Sequence, residues 1–171
     1  MINGFEVLEE RYPFFDDESR TPNGIDLRLG AIYELEESEF FYGLFNEGKS
    51  VPEHKPMDCS EMKTDYGTIE GWVLKPNKPY ILEVQDPIEI DKNSMQTYYP
   101  RSTLLRSGCT LHTAVGDAGY CGKLSFLFVN HSNKAFVLER GVRFAQLVDS
   151  ELKGSGLKTY DGDYQNDKHK K

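Results

Sequence analysis

Between Pro100 and Gly122 the chain reads PRSTLLRSGCTLHTAVGDAGYCG, which sets an arginine beside a serine and ends with an acidic residue in a glycine-rich turn. Arg101 offers a planar fork of donors suited to phosphate oxygens, and Ser102 adds a small hydroxyl next to it. Asp117 supplies a carboxylate able to activate a water or to hold a sugar hydroxyl. Together these are the parts that hydrolysis of a nucleoside triphosphate requires. Each also has an ordinary use: Arg101 in a surface ion pair, Ser102 as a turn hydroxyl, Asp117 as an Asx-turn residue ahead of Ala118 and Gly119. Taken singly, those uses prevail; the combination carries the chemistry.

The elements that must position these residues are strands. Tyr80, Leu82 and Val84 alternate with Ile81, Glu83 and Gln85, and Leu27 and Leu29 alternate with Asp26 and Arg28, as a strand with one polar face requires. LSFLFVN (Leu124–Asn130) and KAFVLERG (Lys134–Gly141) are apolar runs around His131, Ser132 and Asn133, and read as a buried hairpin. Arg143 lies in a similar alternation, which leaves a solvated strand residue as the alternative to a phosphate contact. Short strands between Gly, Pro, Asn and Asp clusters, without βαβ alternation, predict an all-β jelly roll, sandwich or distorted barrel. Minor helices are expected near Phe5 to Tyr12 and Ser102 to Ser107. Residues 43–70 are polar and turn-rich, a loop-rich insertion by composition, and residues 160–171 are a polar C-terminal tail.

A chain of 171 residues fits a single domain, here taken as 1–171, and a formal charge of −8 disfavours a nonspecific duplex-DNA binder. A nucleotide is a better partner than a nucleic acid, because a few convergent cationic side chains with a divalent metal set the local potential. The start MINGFEVLEERYPFF lacks a basic segment followed by an apolar run, and no segment approaches the roughly 20 apolar residues of a membrane span. The chain therefore reads as soluble, intracellular and cytoplasmic. Cys59, Cys109 and Cys121 read as reduced thiols, and the four histidines form no zinc pattern with them.

Four segments in order carry a family resemblance: NGIDLRLG (Asn23–Gly30), PRSTLLRSG (Pro100–Gly108), GDAGYCGKL (Gly116–Leu124) and RGVRFAQLV (Arg140–Val148). The chain resembles the trimeric dUTPase and dCTP deaminase superfamily, from about residue 20 onward. Its terminal YDGDYQN (Tyr160–Asn166) is similar to the deaminase branch rather than to the glycine-rich last motif of ordinary dUTPases. Gly119 stands where those dUTPases carry a second acidic residue. The resemblance implies a dUTPase-like distorted jelly roll or β-barrel, homotrimeric, with composite sites between subunits.

It further implies that Asp117 prepares a water for attack on the α-phosphorus and contacts the deoxyribose, with Tyr120 against the sugar. Arg101 and Ser102 would bind the triphosphate, and Arg106 is a further phosphate candidate. Gln146 would meet phosphate or the closing tail, in which Tyr164 and Gln165 are substrate-binding candidates. Asp26 and Arg28 would serve a buried interface or phosphate network, and His112 is a packed or turn histidine. In deaminases of this superfamily a glutamate in the strand after the third motif moves the protons; ungapped alignment from Asp117 puts Leu127 there, and leucine has no proton to transfer. The expected reaction is hydrolysis of dUTP to dUMP and pyrophosphate, and the expected partner is dUTP or a related pyrimidine deoxynucleotide. Mg²⁺ would be held mainly by substrate phosphates, and no protein metal ligand is assigned. A dCTP deaminase, bifunctional or not, and a noncatalytic nucleotide-binding relative are the alternatives.

Overall fold

The alternation in PYILEV becomes a strand whose Tyr80, Leu82 and Val84 are fully buried. In the computed structural model, residues 1–36, 52–154 and 158–170 are described. Their strands are β1 (Arg20–Thr21), β2 (Gly24–Leu35), β3 (His54–Pro56), β4 (Ser60–Thr64), β5 (Gly67–Leu74), β6 (Pro79–Val84), β7 (Ile88–Glu89), β8 (Ser94–Pro100), β9 (Cys109–His112), β10 (Cys121–Gly122), β11 (Ser125–Asn130), β12 (Phe136–Glu139) and β13 (Arg143–Glu151). The helices are α1 (Phe5–Arg11) and α2 (Ser102–Arg106). The main sheet runs β8-β13-β2-β6-β11-β9, with β1 and β3 also on β2. It curls toward closure where Gln96 of β8 bridges Gly116, just beyond β9. The all-β, barrel-like expectation holds.

Register follows the apolar period. Phe126 pairs with Leu82 and Phe128 with Tyr80, so one face of β6 and β11 fills the core with aromatic and aliphatic side chains. Leu8 of α1 and the following Tyr12 insert into the same core, and Arg11 pairs with the fully buried Asp149 at 3.2 Å. Tertiary packing rather than intrinsic propensity stabilises so short a helix.

Two expectations are corrected. The runs that read as one hairpin belong to different sheets: β11 pairs with β6 and β9, whereas β12 pairs with β5 in the order β12-β5-β4. Asn130 makes the turn between them. Its Nδ2 donates to the carbonyls of Leu74 and Lys134, and its Oδ1 accepts from the Ser132 amide and hydroxyl. An apolar run marks a strand without naming its neighbour. The second correction concerns residues 43–70. Those from 43 to 51 lie outside the described residues, but the remainder holds β3, β4 and the start of β5, with β4 and β5 turning at Asp65 and Tyr66. That hairpin is largely exposed, so polar side chains hide its strand character.

Candidate functional site

Asp117 follows a glycine whose N–H and C=O are both bonded to the backbone of Gln96, at 2.8 and 2.9 Å. A side chain at Gly116 would overlap the Tyr98 hydroxyl beneath it. Past Asp117, Gly119 takes φ of 83°, which glycine adopts without strain, and its N–H reaches Ile90 O at 3.0 Å. The turn thus presents Asp117, exposed, to a cavity of about 440 Å³. Tyr98, Val115, Tyr120, Ser125, Tyr160 and Tyr164 are among its walls.

Tyr120 is half-buried, donates its hydroxyl hydrogen to Lys123 O at 3.1 Å and meets the Tyr160 ring edge-on at 5.6 Å. Burial, with the Asp167 carboxylate next in effect, raises its phenol well above the ordinary value, so it stays a neutral wall. The tail docks on the same turn. Tyr160 N–H donates to Ala118 O at 2.8 Å, Gln165 spans Gly119 O and Cys121 N at 3.0 and 3.1 Å, and Asp167 accepts from Lys123 N at 3.2 Å.

Arg101 lies elsewhere. It caps α2, forms an ion pair with the buried Asp26, and lines a groove of about 870 Å³ together with Thr103, Leu104, Phe144 and Arg143. Arg143 approaches Asp26 at 3.8 Å, so two guanidiniums balance a carboxylate that receives no hydrogen bond of ordinary geometry. Arg143 is half-buried in this charge cluster rather than a solvated strand residue. Arg28 is turned to Asp16, at 2.7 Å. The groove and the cavity share no lining residue, so the chain brings Asp117, Tyr120 and Tyr164 together around one space and Arg101 to another.

The remaining candidates line neither space. Ser102 and Arg106 are exposed on α2. Gln146 stands in register with Asp26 and donates to Thr21 Oγ1 at 2.8 Å, and the amide of Gln165 is spent on the turn backbone. His112 is exposed and pairs across the sheet with Leu127 of β11, on the face opposite Phe126 and Phe128. Tyr98 escaped sequence reasoning, because a tyrosine in a strand carries no chemical signal until the fold sets it beside Asp117, and Tyr160 enters that reasoning only as the start of the terminal motif. The three cysteines are free thiols.

A model of the dCTP deaminase-like family matches residues 7–152. The chain belongs to the dCTP deaminase-like family. Among relatives of this family member, a Methanopyrus kandleri protein named probable deoxyuridine 5'-triphosphate nucleotidohydrolase is 39% identical over 166 residues, covering 96% of this chain and 99% of its own. A Halobacterium salinarum protein with the same name is 34% identical over 165 residues, covering 96% and 93%. The fold is similar to that of 2'-deoxycytidine 5'-triphosphate deaminase from Agrobacterium tumefaciens, with a TM-score of 0.64 and 18% identity. That match covers 86% of this chain and 47% of the deaminase chain.

Proposed function

We propose that this family member is a dUTP diphosphatase, producing dUMP and pyrophosphate. The observation that carries the reading is chemical: an exposed carboxylate, Asp117, faces a tyrosine-walled cavity, while the position of the deaminase glutamate holds Leu127. A cavity of about 440 Å³ is within the usual range for a small-molecule site. The names of the full-length relatives support the same reaction.

In this mechanism Asp117 accepts a proton from a water as its oxygen bonds to the α-phosphorus. The bond from that phosphorus to the bridging oxygen breaks, and pyrophosphate leaves with the electron pair. Arg101 meets the negative oxygens with its fork of donors, assisted by Arg143. Tyr120 packs on the sugar, and Tyr164 closes the cavity from the tail. Among the described residues no three His, Cys, Asp or Glu side chains gather as a cation site, and Asp26 is already engaged by two guanidiniums. Magnesium would be held mainly by triphosphate oxygens, as suits an ion that keeps much of its water. The chemistry it supplies there is neutralisation of phosphate charge.

A homotrimer belongs to the same proposal. The phosphate groove and the Asp117 cavity are separate in one chain, and a neighbouring copy that joins them would complete the site. Among the described residues no helix is long and apolar enough to cross a membrane. The test is hydrolysis of dUTP in isotopically labelled water. Label is expected in dUMP, and label in pyrophosphate would contradict attack at the α-phosphorus.

A further inference from the structure

Beneath the Asp117 turn lies a buried polar network to which the mechanism gives no part. Gln96 and Asp149 are completely buried, and Tyr12 and Tyr98 nearly so. Asp149 is ion-paired with Arg11 and accepts from Asn3 Nδ2 at 2.6 Å, so it presents only acceptor oxygens to Gln96. That fixes the amide. Gln96 Nε2 donates to Asp149 Oδ2 at 3.1 Å and to the Tyr12 hydroxyl at 2.8 Å, leaving Oε1 to accept from the Tyr98 hydroxyl at 2.9 Å. Tyr12 in turn donates to Glu89 O at 2.8 Å. Every proton in the network has one direction.

The network ends under the turn. The Tyr98 hydroxyl lies against Gly116, as do the Cδ1 of Ile90 and the Cβ of Gln96, and both backbone groups of Gly116 are bonded to the backbone of Gln96. Asp117 is the next residue. On its far side the turn is tied independently to Ile90, through Gly119 N–H and through Ile90 N–H to Tyr120 O. The backbone hydrogen bonds of one flank of Asp117 go to Gln96 and those of the other to Ile90, whose side chain also touches Gly116.

We infer that Gln96 is a positioning residue for Asp117: its buried amide, oriented by Asp149 and Arg11, locks Tyr98 under Gly116 and so fixes where the Asp117 carboxylate stands in the cavity. The inference rests on the reading of Asp117 as the water-activating group. A carboxylate displaced by about 1 Å from its water loses on the order of a hundredfold in rate without a matching loss of substrate binding.

The experiment compares the full chain with Gln96→Met, which keeps side-chain length and removes the amide's donors and acceptor. Amide hydrogen exchange at Gly116 is expected to quicken by about tenfold or more while amides of β2 and β6 keep their rates. The kcat for dUTP is expected to fall by about ten- to a hundredfold with KM within about twofold. Unchanged exchange at Gly116 overturns the inference whether or not the chain hydrolyses dUTP, and so does an equal rise throughout β2 and β6, which reports lost stability alone. Absence of dUTP hydrolysis by the wild type, with exchange at Gly116 still raised selectively in the variant, overturns the functional reading and leaves the positioning intact. If Gln96→Met does not fold, Tyr98→Phe removes only the hydroxyl and keeps the ring on Phe126; the same selective change at Gly116 is expected, and its absence overturns the inference.

Discussion

A carboxylate buried as deeply as Asp26, at 1% exposure, is tolerable only while its charge is met. Arg101 meets it and also lines the groove, so the proposed phosphate contact and stability would meet at one side chain. Arg101→Ala is expected to lower folding stability, by less than the roughly 3–5 kcal/mol of leaving a buried charge uncompensated, because Asp26 keeps Arg143 at 3.8 Å. Arg101→Lys keeps a cation beside Asp26 but loses the planar fork, so thermal unfolding should stay closer to wild type while KM for dUTP rises by about tenfold or more. Equal stability in all three proteins would contradict the coupling. At this scale the sequence was most informative where a residue type has few uses together with its neighbours: Arg101, Asp117 and Tyr120 stand in short segments whose composition is chemically specific. Arg143 and Gln96 were not legible. A charged residue in an alternating strand and a glutamine two positions before a tyrosine acquire their parts only from Asp26 and Gly116, which are distant in sequence.

Among the elements, the tail is the one whose docking has a direct reporter. Cys121 follows Tyr120, and burial raises its thiol pKa, with smaller contributions from the carboxylates of Glu89 and Asp167. Removing residues 158–171 takes away the Asp167 charge and part of the cover, which lowers that pKa and increases the thiolate fraction near pH 8. Alkylation of Cys121 should then accelerate, and KM for dUTP should rise because Tyr160 and Tyr164 no longer wall the cavity. An unchanged alkylation rate would mean that the tail does not rest on the turn. The helices α1 and α2 and the strand β6 were readable from local pattern. The pairing of β12 with β5 was not, because sheet membership is decided by non-local register and by the Asn130 turn. Nor was the β4 to β5 hairpin, whose exposed face removes the apolar alternation that reveals a strand.

For the molecule as a whole, the barrel-like class was legible from the density of strands and turns, whereas the division of the site was not. Sequence order places Arg101 and Asp117 only sixteen positions apart, yet they line separate spaces. If a second copy joins the two halves, mixing Arg101→Lys with Asp117→Asn protein after co-refolding should recover hydrolysis that neither shows in full alone. No recovery from folded, associated variants would contradict a composite site. Asp65 and Glu139 line the groove beside Arg101 and Arg143, so phosphate there would depend on the two guanidiniums and should weaken with added salt. The most direct measurement is pyrophosphate release from dUTP, dCTP and dTTP with Mg²⁺, for the wild type and for Asp117→Asn. The wild type is expected to prefer dUTP, and the substitution to lower kcat by about 10²–10⁴; no turnover of any nucleotide, or an Asp117→Asn protein as fast as wild type, would contradict the account.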